Sequence, residues 1–193
     1  MIRLALLRHG HTAWNREGRI QGSSDIPLDD DARAELCQFR LPAPWDKADL
    51  WSSPLDRARE TAQIVAARAP RVDAALSEMS WGDWEGLRGK DLLEQPGSGF
   101  RHIEDWGWDY RAPNGESPRE LDRRLRPWLD GVKRDAVVVC HIGVMRVLLA
   151  RAHSWNFDGP APFRIKRNRL FVLTLSDQKL IPEREPVRLE KRP

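Results

Sequence analysis

Residues 6–12 read LLRHGHT, and the first two of them are the end of a mostly apolar run at residues 2–7. A run of this length is too short for a helix and is typical of a buried strand. We therefore expect Arg8 and His9 where a strand leaves the interior of a sheet, with the polar residue Asn15 soon after them. A cation, an imidazole and a small polar group at such a place predict a pocket that grips an anion. His9 is then a candidate for the attacking group.

Length and composition favour one soluble domain. Of the 193 residues, 40% are hydrophobic and 32% are charged, and the formal net charge is only +3. A surplus of bases this small does not predict a nucleic-acid surface. No apolar run approaches the roughly 18 residues of a membrane span, and no signal-peptide pattern is present, so we expect a cytoplasmic protein without a membrane partner.

Two basic stretches, residues 123–126 and 164–169, are interpreted as solvated faces, although the alternation in the second also suits a half-exposed strand. Cys37 and Cys140 are interpreted as buried small apolar residues rather than as a disulfide pair. The run His-Gly-His at residues 9–11 lacks a clustered carboxylate or thiolate, so no metal site is predicted.

Capping residues mark where helices should begin. Asp29 precedes a run with helical spacing, and the pairs Ser-Pro at residues 53–54 and 117–118 each combine a cap with a proline at the first helical position. The first of these helices should end before Pro42, and Pro127 should kink or shorten the last. Strands are predicted at residues 2–7, 47–51, 71–76, 135–141 and 170–175.

Strands that alternate with helices predict an α/β fold, a three-layer α/β/α sandwich around a mainly parallel central sheet, with the final strand antiparallel. We expect a single domain over residues 1–181, followed by a charged tail at residues 182–193 that is frayed. In open sheets of this kind, ligands bind at the carboxyl edge of the strands.

Further ionic groups should reach the same edge. Arg57 lies in the first turn of the helix that follows the second strand, and His141 ends the most apolar strand of the chain. A helical arginine is most often a surface residue, so Arg57 alone is a weak signal. The loop at residues 78–86 has no clean period and offers three competing proton donors: Glu78, Asp83 and Glu85.

Four stretches resemble the signatures of the histidine phosphatase family, also called phosphoglycerate mutase-like. Residues 6–28, LLRHGHTAWNREGRIQGSSDIPL, match R-H-G-x-T-x-x-N followed by G-R-x-Q-G-x-x-D-x-P-L. Residues 52–62 are similar to S-S-x-L-x-R-A-x-x-T-A, residues 78–86 to E-x-x-[aromatic]-G-x-W-E-G, and residues 141–146 to H-G-G-x-x-R. The chain departs from the last pattern at Ile142, which replaces a glycine and tolerates positive φ badly.

The resemblance implies a role for each candidate. His9 would attack phosphorus and become a phosphohistidine, while Glu78 would give a proton to the leaving alcohol. Glu85 would then be structural. The phosphoryl oxygens would be held by Arg8, Arg57 and a cationic His141, with Asn15 as a neutral donor. Because these groups neutralise phosphate, the resemblance implies neither a metal nor a cofactor.

The expected activity is hydrolysis of a small phosphorylated metabolite. A mutase is less favoured, because the chain between Glu78 and His141 is too short for the insertion with which phosphoglycerate mutases contact the glycerate carboxylate. Two alternatives stay open, a mutase-type phosphoryl transfer and a catalytically idle phosphate-binding or protein-interaction module. The Trp-rich segment at residues 100–110 is either a cover for the pocket or a separate small core. The sequence predicts neither the natural substrate nor the oligomeric state.

Overall fold

The computed structural model describes residues 1–177, 179–183 and 185–193. Within these residues the helices are α1 (Ala13–Glu17), α2 (Asp30–Leu36), α3 (Asp56–Ala66), α4 (Gly89–Glu94), α5 (Pro118–Gly131) and α6 (Ile142–His153). The strands are β1 (Ile2–Arg8), β2 (Phe39–Arg40), β3 (Asp49–Ser52), β4 (Arg71–Val72), β5 (Ala136–Cys140), β6 (Arg169–Ser176), β7 (Lys179–Pro182), β8 (Val187–Arg188) and β9 (Glu190–Lys191). In this described part of the chain, no helix is both long and apolar enough to cross a membrane.

One central sheet organises the molecule, with the strand order β4-β3-β5-β1-β6-β7. Strands β4, β3, β5 and β1 are parallel to one another, whereas β6 runs antiparallel to β1 and also pairs with β7 and β8. The prediction of a mainly parallel sheet with an antiparallel final strand is confirmed.

Helices cover both faces of this sheet. Along β1, Leu4 and Leu6 pack in a core with side chains of α5 and α6, while Ala5 and Leu7 pack on the opposite face with α2 and α3. Successive side chains of a strand point to opposite faces, so a strand covered on both sides is apolar at every position. This packing explains why residues 4–7 are all apolar, and it confirms the three-layer architecture.

The register of the sheet brings three strand ends to one edge. Arg8 is the partner of Cys140, and the next residue, His9, donates its backbone N–H to the Cys140 carbonyl at 3.0 Å. On the other side of β5, Ser53 donates in the same way to Val139 at 3.1 Å. The residues that follow β1, β3 and β5 therefore emerge side by side.

Two helices differ from their predicted extents. Helix α3 begins at Asp56 rather than at Pro54, because the backbone of Ser53 is still bonded to β5 and its Oγ accepts from Leu55 N at 3.2 Å. Helix α5 continues through Pro127 to Gly131. Pro127 lies on the exposed side of the helix, where its missing N–H does not disturb the buried face of α5.

Two further predictions are wrong. Cys37 is exposed, because it follows directly after Leu36 at the end of α2 and is turned away from the buried face of Ala32 and Leu36. The tail at residues 182–193, of which residue 184 lies outside the described residues, is not frayed: β8 pairs with β6 and β9 pairs with β2. Leu189, which lies between β8 and β9, is buried. Arg192, directly after β9, donates to the carbonyl groups of Phe39 and Ile64.

Candidate active site

The ring of His9 is buried at the end of β1, and it is held in one tautomer. Its Nδ1 lies 2.6 Å from the carbonyl oxygen of Gly10, which only accepts hydrogen bonds, so Nδ1 carries the proton. Nε2 therefore keeps a free electron pair. Burial and the neighbouring cations, which include Arg57 and Arg8, hold the pKa of His9 well below its usual range, so the ring is neutral at neutral pH. A neutral ring with a free nitrogen is a competent nucleophile.

His141 lies beneath His9, with 5.1 Å between the two ring centroids. It is fully buried and does not line the cavity, and its Nε2 lies 2.7 Å from the Ser53 hydroxyl. Burial and the charges of Arg57 and Arg8 hold the pKa of His141 well below its usual range. This differs from the expectation of a cationic His141. The guanidinium groups of Arg57 and Arg8 repel a proton on His141. A bound phosphoryl dianion would offset their charge and so would favour the cationic form of the ring.

Arg8 and Arg57 line the cavity from β1 and α3. The Nε of Arg8 is buried without a hydrogen-bond partner, and burial lowers the pKa of this side chain because desolvation disfavours its charged form. Arg57 is fully buried and donates through Nη1 and Nη2 to the carbonyls of Ser24 and Gly22, at 2.7 and 2.8 Å. Arg57 therefore shapes the loop after α1 as well as facing the cavity.

Glu78 lies at the N-terminus of α6 and is buried. One carboxylate oxygen accepts from its neighbour Met79 N at 2.9 Å, and the other accepts from Gly143 N at 3.1 Å. A Cβ on Gly143 would lie only 2.4 Å from the Glu78 carboxylate, so glycine is needed here for close approach. Ile142 is the first residue of α6 and does not have positive φ, so the replaced family glycine leaves this geometry intact.

The cavity at this edge has a volume of about 370 Å³. Its lining includes five of the predicted site residues: Arg8, His9, Asn15, Arg57 and Glu78. The outer lining includes Arg101 and His102, so His102 is exposed but still lies at the site. In the described residues, no group of three or more His, Cys, Asp or Glu side chains could hold a metal ion.

The Trp-rich segment covers part of the cavity, and its tryptophans pack in the main core rather than in a separate small one. Trp106 lines the cavity together with Trp81, and these two rings meet edge to face with centroids 5.2 Å apart. The same Trp106 ring stacks on Tyr110 and Phe157, and it belongs to the main core. Trp108 instead packs against Phe157 outside the cavity lining. The cavity wall is thus the outer surface of a packed aromatic layer.

Glu85 ties two loops of the site together. Its carboxylate accepts from the backbone and hydroxyl groups of Ser23 and Ser24, and from Trp81 N at 3.1 Å. A Cβ on Gly22, where φ is +56°, would lie 2.0 Å from this carboxylate. Asp83, the third candidate acid, is exposed and accepts from the Asn114 amide. Glu85 is thus fully engaged in bonds within the protein, in agreement with the structural role expected for it.

Glu85→Ala is expected to lower the free energy of unfolding by about 1 to 3 kcal/mol, because it leaves donors of Ser24 and Trp81 without an acceptor. Glu85→Gln should cost less. Burial alone would raise the pKa of Glu85, but hydrogen bonds from Ser24, Ser23 and Trp81 lower it overall. The ionised Glu85 carboxylate therefore stabilises the fold fully at pH values above the ordinary pKa of glutamate. This stabilisation is lost as the pH falls through the lowered pKa of Glu85 in the folded protein.

Urea unfolding of the wild type and Glu85→Gln at several pH values checks this expectation. The stability gap between them should narrow as the solution becomes acidic. A gap independent of pH would contradict the role given to the charge.

This constellation can be compared with known proteins. A family model described as "Histidine phosphatase superfamily (branch 1)" matches residues 4–184. The chain belongs to this superfamily. The match runs through all four signature stretches and most of the central sheet.

Relatives of this superfamily member include proteins named as mutase-like and as a phosphatase. "Phosphoglycerate mutase-like protein 4" of Arabidopsis thaliana is 35% identical over 161 residues, which are 77% of this chain and 70% of that protein. "Probable 2-carboxy-D-arabinitol-1-phosphatase" of the same plant is 32% identical over 161 residues, 78% of this chain but only 33% of that protein. A crystal structure of phosphoglycerate mutase from Thermus thermophilus has a TM-score of 0.72 at 30% identity, over 99% of this chain and 100% of the other.

Arg146 and Arg167 were not identified as site residues from the sequence. Arg146 lines the cavity and lies over the Trp106 ring at 5.7 Å, and burial lowers its pKa to about 10. Arg146 is the last residue of the stretch that resembles H-G-G-x-x-R, and this match could have identified it as a site residue. Arg167 belongs to the stretch interpreted as a solvated face, yet its side chain reaches His9 and Asn15. Alternation in the stretch 164–169 gave no sign of this, because the contact depends on how β6 returns beside β1.

Proposed function

We propose that this chain is a phosphomonoesterase that acts through a phosphohistidine intermediate on a small phosphorylated metabolite. The observation that carries the proposal is the state of His9, a neutral ring with Nδ1 bonded to the Gly10 carbonyl and Nε2 free. It lines the same cavity as Arg8 and Arg57, whose charges suit a phosphoryl group. A solvated surface histidine would have neither a fixed tautomer nor two arginines in the same cavity.

In the first proposed step, Nε2 of His9 forms a bond to phosphorus while the bond from phosphorus to the ester oxygen breaks. The leaving oxygen takes a proton from Glu78, so an alcohol departs and a phosphohistidine remains. Arg8 and Arg57 stabilise the charge on the equatorial oxygens, and the second histidine, His141, supports the ring of His9 from below.

In the second proposed step, water attacks the phosphohistidine and gives a proton to Glu78, which now acts as a base. The bond from phosphorus to Nε2 breaks, and inorganic phosphate leaves. His9 and Glu78 are then back in their starting states. Both steps balance without a redox partner or a bound cofactor.

Transfer of the phosphoryl group to a second hydroxyl is the other candidate, since the relatives include proteins named as mutases as well as a phosphatase. Release of inorganic phosphate from p-nitrophenyl phosphate and from a panel of phosphorylated metabolites tests the proposal. Transfer between positions of one metabolite without net phosphate release would favour the mutase. Failure of every substrate, with phosphate still bound, would favour an idle binding module.

Phosphate release is expected to continue unchanged in EDTA, because Arg8 and Arg57 provide the charge that metal-dependent phosphatases draw from divalent cations. The measurement compares initial rates before and after exhaustive chelation, with magnesium, manganese or zinc added back separately. Activity that disappears with EDTA and returns with one of these metals would contradict this assignment of charge.

A further inference from the structure

Arg167 reaches the site from the segment between α6 and β6. Its Nε donates to the carbonyl oxygen of His9 at 3.1 Å, and its Nη2 donates to Oδ1 of Asn15 at 2.9 Å. Arg167 does not line the cavity, whereas Asn15 does. One guanidinium group therefore bridges the backbone of the proposed nucleophile and the side chain of a proposed phosphate donor.

These bonds determine which end of the Asn15 amide faces the cavity. Oδ1 accepts from Thr12 N at 3.2 Å as well as from Arg167, so both of its lone pairs are used. A flipped amide would direct its NH₂ group at two other donors, which is unfavourable. Among the described residues, Nδ2 of Asn15 donates no hydrogen bond, so it is available to a ligand.

We propose that Arg167 is a positioning residue that fixes the Asn15 amide with its NH₂ group toward the cavity, ready to donate to a phosphoryl oxygen. The inference rests on the proposed function for the identity of the ligand. Its geometric part rests on the two hydrogen bonds of Arg167 and on the bond from Thr12 N to Asn15 Oδ1. A donor that is already oriented needs no reorganisation when charge develops on the phosphoryl group.

The unfavourable surroundings of the Arg167 charge support a role for Arg167 in the site. Burial and the charge of Arg8 lower the pKa of Arg167 to about 9, although the group remains a cation at neutral pH. A guanidinium suits the position better than an ammonium, because two nitrogens of its rigid fork reach two acceptors at once. The neighbouring Arg164 is exposed, and it serves as a matched control for charge in the same segment.

The test is a double-mutant cycle with Arg167→Met and Asn15→Ala. Two quantities are measured, kcat/KM for p-nitrophenyl phosphate and the binding constant of orthovanadate by calorimetry. Arg167→Met alone should lower both by about 10- to 100-fold, the range expected for a hydrogen bond to a charged group. In the Asn15→Ala background, the same substitution should lower them by less than about threefold, because the partner through which it acts is gone.

Two further variants make the outcome decisive. Arg167→Lys keeps the charge but not the fork, so it should recover only part of the loss, and Arg164→Met should leave both quantities unchanged. Equal losses from Arg167→Met in both backgrounds, or no loss in either, would overturn the inference. If Arg167→Met does not fold, the cycle is run with Arg167→Lys and the same criteria. Vanadate binding without turnover by the wild type would refute the proposed function while leaving the cycle interpretable.

Discussion

His9→Ala is expected to reduce phosphate release by about 10⁴- to 10⁶-fold, the range seen when a covalent nucleophile is removed from an enzyme. The loss should be this large because Nε2 of His9 is the atom that forms the bond to phosphorus in the proposed mechanism. Rapid quenching of the wild type should trap an acid-labile phosphate on His9, and the alanine variant should show none. Vanadate should compete with substrate in the wild type, since a five-coordinate vanadate resembles the transferring group.

The matched control is His11→Ala, two residues away and outside the lining of the cavity. It should retain activity and form the same phosphoenzyme. Turnover by His9→Ala at a rate near that of the wild type would exclude His9 as the nucleophile. Turnover with no trapped intermediate in the wild type would point instead to direct attack by water.

Glu78→Gln should harm two kinds of substrate unequally. An alkyl phosphate expels a poor alkoxide that needs a proton, whereas nitrophenolate leaves without help. Formation of the phosphoenzyme from an alkyl phosphate should therefore fall by about 10²- to 10⁴-fold, the usual contribution of general acid catalysis, while formation from p-nitrophenyl phosphate should fall far less. The amide keeps one acceptor oxygen, which can serve Gly143 N, while Met79 N loses its acceptor, so the folded state of the variant is checked by urea unfolding before its rates are compared.

Hydrolysis of the phosphohistidine also uses Glu78, as a base. The variant given p-nitrophenyl phosphate should consequently release a burst of nitrophenol approaching one equivalent per site, followed by slow turnover. Asp83→Asn, which changes an exposed acid of the same loop, is the control and should show no burst. Equal losses on both substrates without a burst would make Glu78 structural and would return Asp83 and Glu85 to consideration.

Features with a short-range cause were predictable. The apolar runs that became β1 and β5 could be recognised because strands covered on both faces need apolar side chains at every position. The caps Asp29 and Ser117 act within three residues, and each accepts from the expected backbone N–H. Residues placed directly after parallel strands, such as His9 and His141, converge through strand geometry alone, which is why the sequence could bring them together.

Features with a long-range cause were not predictable. Arg167 meets His9 only because β6 returns antiparallel beside β1, and nothing within residues 164–169 encodes that neighbour. The C-terminal residues were mistaken for a frayed tail because charge dominates their composition. The alternation of Val187 and Leu189 was the local trace of a strand, but its partners lie far away in the chain. The lowered pKa of His141 likewise depends first on burial by the surrounding elements and then on arginines from β1, α3 and α5.

The position of β1 in the sheet has a consequence for how the chain acquires its structure during synthesis. β1 is made before both of its partners, β5 at residues 136–140 and β6 at residues 169–176. Until those residues leave the ribosome, both edges of an apolar strand stay open to wrong pairing. Folding dominated by such distant contacts is slow, and it leaves nascent chains exposed to aggregation and dependent on chaperones. The residue proposed to do the chemistry thus ends the strand that waits longest for its neighbours.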